Sequence, residues 1–238
     1  MINISCEDCI DLMARYPDKH FDLAVVDPPY GIGQEWEKNL YGKFKKYKGI
    51  PFPRTTYKNS NIPRKEYFDG LFRVSKEQVI FGYNYFVEFL GPTNYLIIWD
   101  KISNTENINF YSKAEIAYTS IHIPLSIIQA PWDGWRMGKE TGISKIHPHQ
   151  KPVELYIKIL KKYAKPGWSI LDAHMGSGSS VIACHRLGLD ITACEIDPHY
   201  FKAAKKRIDA ETRHQELFLP ELRRFQESFL FEGLKEAQ

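Results

Sequence analysis

Asp27-Pro28-Pro29-Tyr30-Gly31 follows the apolar run "FDLAVV" (21–26), and the order of residue types is unusual. The run is β-branched and apolar, as a buried strand would be. An acid at its end, stiffened by two prolines and followed by an aromatic, sets a rigid carboxylate beside a flat ring. A plain strand-ending turn could use the same letters, because Pro cannot continue a central ladder and Gly permits unusual backbone angles. Ligands of open α/β sheets, however, bind at the carboxyl ends of strands. This stretch alone leaves both readings open.

A second stretch, "ILDAHMGSGSS" (170–180), places a strand, then Asp172, then Gly176-Ser177-Gly178-Ser179 at the start of a helix. Glycines there let the backbone come close to a ligand, and the amino end of the helix offers free N–H groups. The next strand, "LDITACE", ends in Glu195, roughly twenty residues on, where an acid can hold both hydroxyls of a ribose. A dinucleotide site would carry a third glycine where this chain has Val181. A pyrophosphate would also be repelled by Asp172. A positively charged ligand that carries adenosine fits better, which points to S-adenosylmethionine.

Positioning these groups requires strands and helices in alternation, and the pattern supplies them. Strands are expected at 2–5, 21–26, 77–82, 94–100, 168–172 and 189–195, with weaker β-like pieces at 114–119 and 125–129. Helices are expected at 7–16, around "EYFDGLFRV" and "YNYFVEFL", over "KPVELYIKILKKY" with Pro152 in its first turn, after the glycine turn, and over "PHYFKAAKKRIDAETRH". The tail 216–234 carries a further amphipathic pattern. The fold class is α/β, a doubly wound, largely parallel, Rossmann-like sheet. One domain over 1–238 is expected, with 101–146, the least regular region, as a small insertion.

Composition excludes several classes. No stretch approaches the ~18 continuous apolar residues of a membrane span. The start "MINIS" is not of signal-peptide type, so a cytoplasmic protein without a membrane partner is expected. Cys6 and Cys9 form a C-x-x-C, but no second pair stands at zinc spacing; four reduced thiols in or near the core, and no metal, are expected. The net charge of +3 identifies no partner, but its distribution does more. Between Trp36 and Lys65 there are nine Lys/Arg against one acid, Glu37, with aromatics threaded between them. Within this basic loop (34–66), Lys43, Lys45, Lys46, Lys48 and Arg54 are candidates for gripping nucleic-acid phosphates. A solvated surface is the alternative.

Taken together, these stretches resemble the DNA amino-methyltransferases of the adenine-N6/cytosine-N4 type, in the group whose D-P-P-Y precedes the cofactor half. "DPPYG" is similar to the family's catalytic motif, and "HPHQKPVEL" (147–155) to its H-P-x-x-K-P-x-x-L. "DAHMGSGSS" is similar to D-P-F-x-G-S-G-T-T, and "EDCI" (7–10) to starts of the G-D-C-L type. The resemblance runs over essentially the full length. It implies S-adenosylmethionine as cofactor, with Asp8 near its adenine, His147 and Lys151 at its methionine end, and Asp172, His174, Gly176, Ser177, Gly178, Ser179 and Glu195 around it. Asp27, Pro28, Pro29 and Tyr30 would form the catalytic clamp, and 101–146 would recognise the target. Ala173 and His174 depart from the usual Pro and Phe, and Glu7 from a Gly; packing is the expected role of His174.

The chemistry suits the motif. An exocyclic amino group is a poor nucleophile, so the base must be flipped out and its nitrogen aligned with the sulfonium methyl. Asp27 would accept one N–H and the Pro28 carbonyl the other, while Tyr30 would offer a stacking face. The resemblance implies transfer to adenine N6, since cytosine-N4 relatives more often begin the motif with Ser. Double-stranded DNA is the implied partner; a homodimer and a cognate restriction nuclease are compatible with it. RNA adenine methylation uses the same chemistry. A DNA-binding regulator with a lapsed site is opposed by the intact Asp27, Tyr30 and Glu195.

Overall fold

The computed structural model describes residues 1–31, 62–102, 112–132, 140, 145–213, 222, 225–227 and 229. Eight strands and six helices alternate along them. They are β1 (Ile2–Ser5), α1 (Cys9–Ala14), β2 (Phe21–Val26), α2 (Lys65–Val74), β3 (Ser75–Phe81), α3 (Tyr83–Leu90) and β4 (Leu96–Asp100). There follow β5 (Ala114–Thr119), β6 (Ser126–Gln129), α4 (Val153–Tyr163), β7 (Ser169–Asp172), α5 (Ser179–Leu187), β8 (Asp190–Cys194) and α6 (Pro198–Thr212).

All eight strands lie in one sheet, in the order β1-β8-β7-β2-β3-β5-β4-β6. Pairing is parallel except along both edges of β5, which runs antiparallel to β3 and to β4. The chain passes from β7 outward to β8 and from β2 outward to β3 in the opposite direction. The strand order therefore reverses between β2 and β7, whose register is Leu23↔Ile170 and Ala24↔Leu171. In such sheets the crevice at a reversal point is the ligand site. Asp27 and Asp172 both stand there.

The sheet is covered on both faces, which is why β2 reads as an unbroken apolar run. Leu23 and Val25 join the core on one face with Phe81, Trp99, Leu155, Ile170 and Val181. Ala24 and Val26 join the other with Phe68, Leu71, Ile80, Phe86 and Leu171. Full burial of a Val, Leu or Phe side chain contributes about 1.5–3 kcal/mol, so the ends of β2 and β7 are among the stiffest points of the fold.

Helix starts are written into the sequence. Asp8 caps α1 by accepting the Ile10 N–H at 2.7 Å, and Asp197 caps α6 by accepting from His199 and Tyr200 just before Pro198. The expected helix at 7–16 is shorter, Cys9–Ala14. Of the region 101–146, residues 114–119 and 126–129 are strands of the main sheet, β5 lying between β3 and β4. No helix among the described residues is long and apolar enough to cross a membrane.

Candidate active site

Asp27 follows the last residue of β2, and both of its carboxylate oxygens are engaged. The Tyr30 hydroxyl donates to Oδ1 at 2.5 Å. The Lys151 ammonium donates to Oδ2, also at 2.5 Å. Tyr30 itself is wedged in place: its ring stacks on Tyr85 with centroids 4.9 Å apart at 13° and meets Phe86 edge-on. Gly82, which follows β3 at φ +81° and leads into α3, makes room for that ring; a Cβ there would lie 2.3 Å from Tyr30 Cε1. Burial first, then the charges of Asp27 and Glu115, hold the Tyr30 phenol well above its ordinary pKa, so it serves as a neutral donor.

Lys151 precedes α4 and is only 6% exposed at its side chain. Besides Asp27 it pairs with Glu115 of β5, Nζ to Oε2 at 3.1 Å, and reaches the Tyr30 hydroxyl at 3.3 Å. Lys101 pairs with the other Glu115 oxygen. Two cations and two carboxylates thus neutralise one another above the faces of Phe81 and Trp99. Burial opposes charge on Lys151, but Asp27 and Glu115 outweigh it and raise its pKa. Burial likewise opposes ionisation of Glu115, and Lys151 and Lys101 overcome it, taking its pKa down to about 2.

The other half of the crevice belongs to β7, β8 and the turn between them. Glu195 follows β8 and accepts the Gly176 N–H on Oε2 at 3.0 Å and the Asp197 N–H on Oε1 at 2.9 Å. Burial raises its pKa against those bonds. Asp172 lies beneath the glycine turn, 1% exposed, accepting from the His174 N–H and the Ser180 hydroxyl. Burial pushes it up to about 7. Gly176 and Gly178 adopt positive φ. The space left by Gly176 faces His147, whereas a Cβ on Gly178 would strike Ile208 of α6 at 2.8 Å. Gly178 therefore lets α6 pack on the turn, a use beyond the ligand approach expected of it. His174 packs edge-on to Tyr67 at 5.0 Å, and burial lowers its pKa to about 4. His147 packs on Tyr200 and is lowered to about 3, by burial, His149 and Lys151.

A chain of five hydrogen bonds joins the halves. Ser179 donates to the Lys151 carbonyl at 2.7 Å. Arg207 of α6 donates to the Ser177 carbonyl and the Ser179 hydroxyl, each at 2.9 Å. Arg207 also pairs with Glu140, which accepts the Val153 N–H at 2.6 Å. Glycine turn, Lys151 and the start of α4 are one hydrogen-bonded unit.

Residues 93–206 match the family model for DNA methylases of the N6/N4 methyltransferase type. That stretch is similar to the N6/N4 DNA methylases. Type II methyltransferase M.HpaI of Haemophilus parainfluenzae is 21% identical over 240 residues, spanning 87% of this chain and 74% of its own length. The solved M1.HpyAVI–SAM complex superposes with a TM-score of 0.56 at 20% identity, covering 87% of this chain and all of that one. PvuII DNA methyltransferase, described as cytosine-N4-specific, superposes at 0.54 and 14% identity, covering 90% and 92%. The fold is thus a methyltransferase fold, and the family match contains Lys151 and the glycine turn but begins after Asp27–Tyr30.

Compared with the sequence expectations, the structure brings Asp27, Tyr30 and Lys151 together at one end of the crevice. It gathers His147, Asp172, Gly176 and Glu195 about the glycine turn. Asp8 caps its own helix at the end of β1, and Pro28 is buried next to Asp27. Lys151, expected at the cofactor's methionine end, binds the Asp27 carboxylate. Glu115, Lys101, Gly82, Glu140 and Arg207 were not anticipated; a lone Glu within the weakly alternating strand "AEIAYTS" was the one available signal. Cys6 is exposed, unlike the buried Cys184 and Cys194. Lys43, Lys45, Lys46, Lys48 and Arg54 lie outside the described residues, as do 103–111, 133–139 and 141–144 of the region expected to recognise the target. Among the described residues no group of three or more His, Cys, Asp or Glu is placed to hold a metal ion.

Proposed function

We propose that this chain transfers a methyl group from S-adenosylmethionine to the exocyclic N6 of an adenine flipped out of double-stranded DNA. One observation carries the reading. A stiff carboxylate, Asp27, and a glycine turn closed by Glu195 stand where neighbouring parallel strands end, at the reversal point of the sheet. The residues of the turn suit the cofactor. Gly176 leaves the backbone open toward His147, and Glu195 offers ribose acceptors beside it. S-adenosylmethionine would supply the electrophilic methyl.

The protein's own work is then alignment. Asp27 and the Pro28 carbonyl accept the two amino hydrogens, which favours a pyramidal nitrogen with its lone pair directed at the methyl. Asp27 need not be a strong base. Glu115 and Lys101 keep the surroundings neutral, so no net charge opposes an uncharged base. Transfer to cytosine N4 is the second reading, favoured by the likeness to the cytosine-N4-specific PvuII enzyme; the Asp at position 27 favours adenine, as the family resemblance implies.

The test is incubation of purified protein with labelled S-adenosylmethionine and, separately, mixed-sequence duplex DNA or RNA, followed by nucleoside analysis. N6-methyladenine absent with Asp27→Asn is the expected result. N4-methylcytosine would select the second reading. Label in RNA alone, or in neither, would overturn both.

A further inference from the structure

The family resemblance assigns Lys151 to the cofactor, but the geometry turns it the other way. Its ammonium touches Asp27 Oδ2, Glu115 Oε2 and the Tyr30 hydroxyl within 3.3 Å. Its other surroundings are the rings of Phe81, Trp99 and Tyr30. Resting on the methyl-transfer reading above, we propose that Lys151 is the positioning residue of the catalytic carboxylate. Balanced by Glu115, it pins Oδ2 of Asp27 and leaves Oδ1 as the single oxygen to be handed from the Tyr30 hydroxyl to the amino group of the target base.

Three features support the assignment. A carboxylate free to rotate about its last bond presents its oxygens in many directions; one ion-paired oxygen removes that freedom, and the pairing is strong because the site is desolvated. A buried ammonium facing Asp27 alone would form a tight, self-satisfied pair that draws charge from Oδ1. Glu115 shares the ammonium and prevents this, and Lys101 keeps Glu115 in turn from standing as an extra charge. The backbone side of Lys151 is fixed as well, since its carbonyl accepts from Ser179 of the glycine turn. Asp27 is therefore registered to the cofactor turn through Lys151, and a small displacement of either would misalign the transfer.

The charged and titratable groups facing this cluster are Asp27 from the end of β2, Tyr30, Tyr67 from α2, Glu115 from β5, Lys101 after β4, Lys145, His147 and His149 from the loop before Lys151, and Tyr156 from α4. Asp172 from β7 faces Asp27 from below. Replacing Lys151 by Met leaves Asp27 and Glu115 as like charges with Lys101 alone to share, so protons are held more tightly. Replacing Glu115 by Gln leaves excess positive charge, so they are held less tightly.

The experiment compares wild type, Lys151→Met and Glu115→Gln in S-adenosylmethionine affinity by calorimetry and in kcat against pH at saturating cofactor. For Lys151→Met we expect an unchanged Kd, a kcat lowered about 100-fold, and an acid limb moved up by about one pH unit. For Glu115→Gln the acid limb should move down. Should Lys151→Met fail to fold, the Glu115→Gln limb decides: a downward move supports the proposal and an unmoved limb overturns it. A tenfold weaker cofactor Kd in Lys151→Met, or limbs moving in the same direction in both variants, would overturn it. If wild type transfers no methyl group, the methylation reading fails by itself, and the calorimetric comparison still decides whether Lys151 serves the cofactor.

Discussion

The Tyr30 hydroxyl donates to the Asp27 carboxylate at 2.5 Å, so the oxygen that the proposed reaction assigns to an incoming amino group is already held by a neighbour three residues away. A base must displace that hydroxyl or share the oxygen with it. Tyr30→Phe removes the competitor and keeps the ring, and its kcat/KM should equal or exceed that of wild type. Tyr30→Ala should lose about 1–3 kcal/mol of base capture, seen as a raised KM for DNA. A Phe variant with little activity would show that the hydroxyl takes part in the transfer itself.

Gly82 is required by Tyr30 and not by the strand it follows. Gly82→Ala places a methyl group against the ring at a φ of +81°, which is strained for any residue with a Cβ. Methyl transfer should fall at least tenfold while S-adenosylmethionine affinity, set on the other side of the crevice, stays constant by calorimetry.

Asp27→Asn should lower kcat by about 100- to 1,000-fold, the cost of losing an oriented charge in a desolvated site. Asp27→Ala should in addition lower thermal stability, because Lys151 would be left buried with Glu115 alone; removing one partner of a buried pair costs on the order of 3–5 kcal/mol. Differential scanning calorimetry of the two variants checks this.

Acid titration of stability includes two opposing contributions from the glycine turn and its neighbours. His174 and His147 have folded pKa values of about 4 and about 3, below the ordinary 6.5. Their contribution is present above pH 6.5 and is lost as pH falls toward those values. Asp172 is raised from 3.8 to about 7. Its contribution is present below 3.8 and is lost as pH rises through 7. Between about pH 4 and 6.5 the two partly cancel. Asp172→Asn removes the second alone, so urea midpoints of that variant should fall more steeply on acidification than those of wild type.

Arg207→Met should loosen the glycine turn and the start of α4 together, because one guanidinium serves Ser177, Ser179 and Glu140. Hydrogen exchange should quicken at both the Gly178 and Val153 amides. Acceleration at one alone would show that the two halves are held independently.

What could be read from the chain was what is local to it. "FDLAVV" and "WSILD" announce themselves by apolar continuity, and Gly176 and Gly178 by their place between a strand and a helix. The Asp27–Lys151 pair spans 124 residues and could not be seen, since each partner has its own local explanation. Glu115 was hidden more deeply: β5 is an antiparallel strand between two strands that precede it in the chain, and its mixed burial resembles a surface segment. Glu140 and Arg207 stand in stretches whose local pattern gives no reason for an ion pair. Gly178 was visible as a glycine but not as a contact for Ile208.

The pairing of β2 with β7 also governs the order of events during synthesis. Asp27 and Tyr30 leave the ribosome before β7, one of the two strands that flank β2, which arrives more than a hundred residues later, and β1 must wait longer still for β8. Until then β2 presents an open, apolar edge on a chain whose remaining contacts are distant in sequence. Folding of that kind is slow and exposes strands to neighbouring copies. The two halves of the crevice therefore meet only when β7 reaches β2, and that edge of β2 is the part in need of protection while it waits.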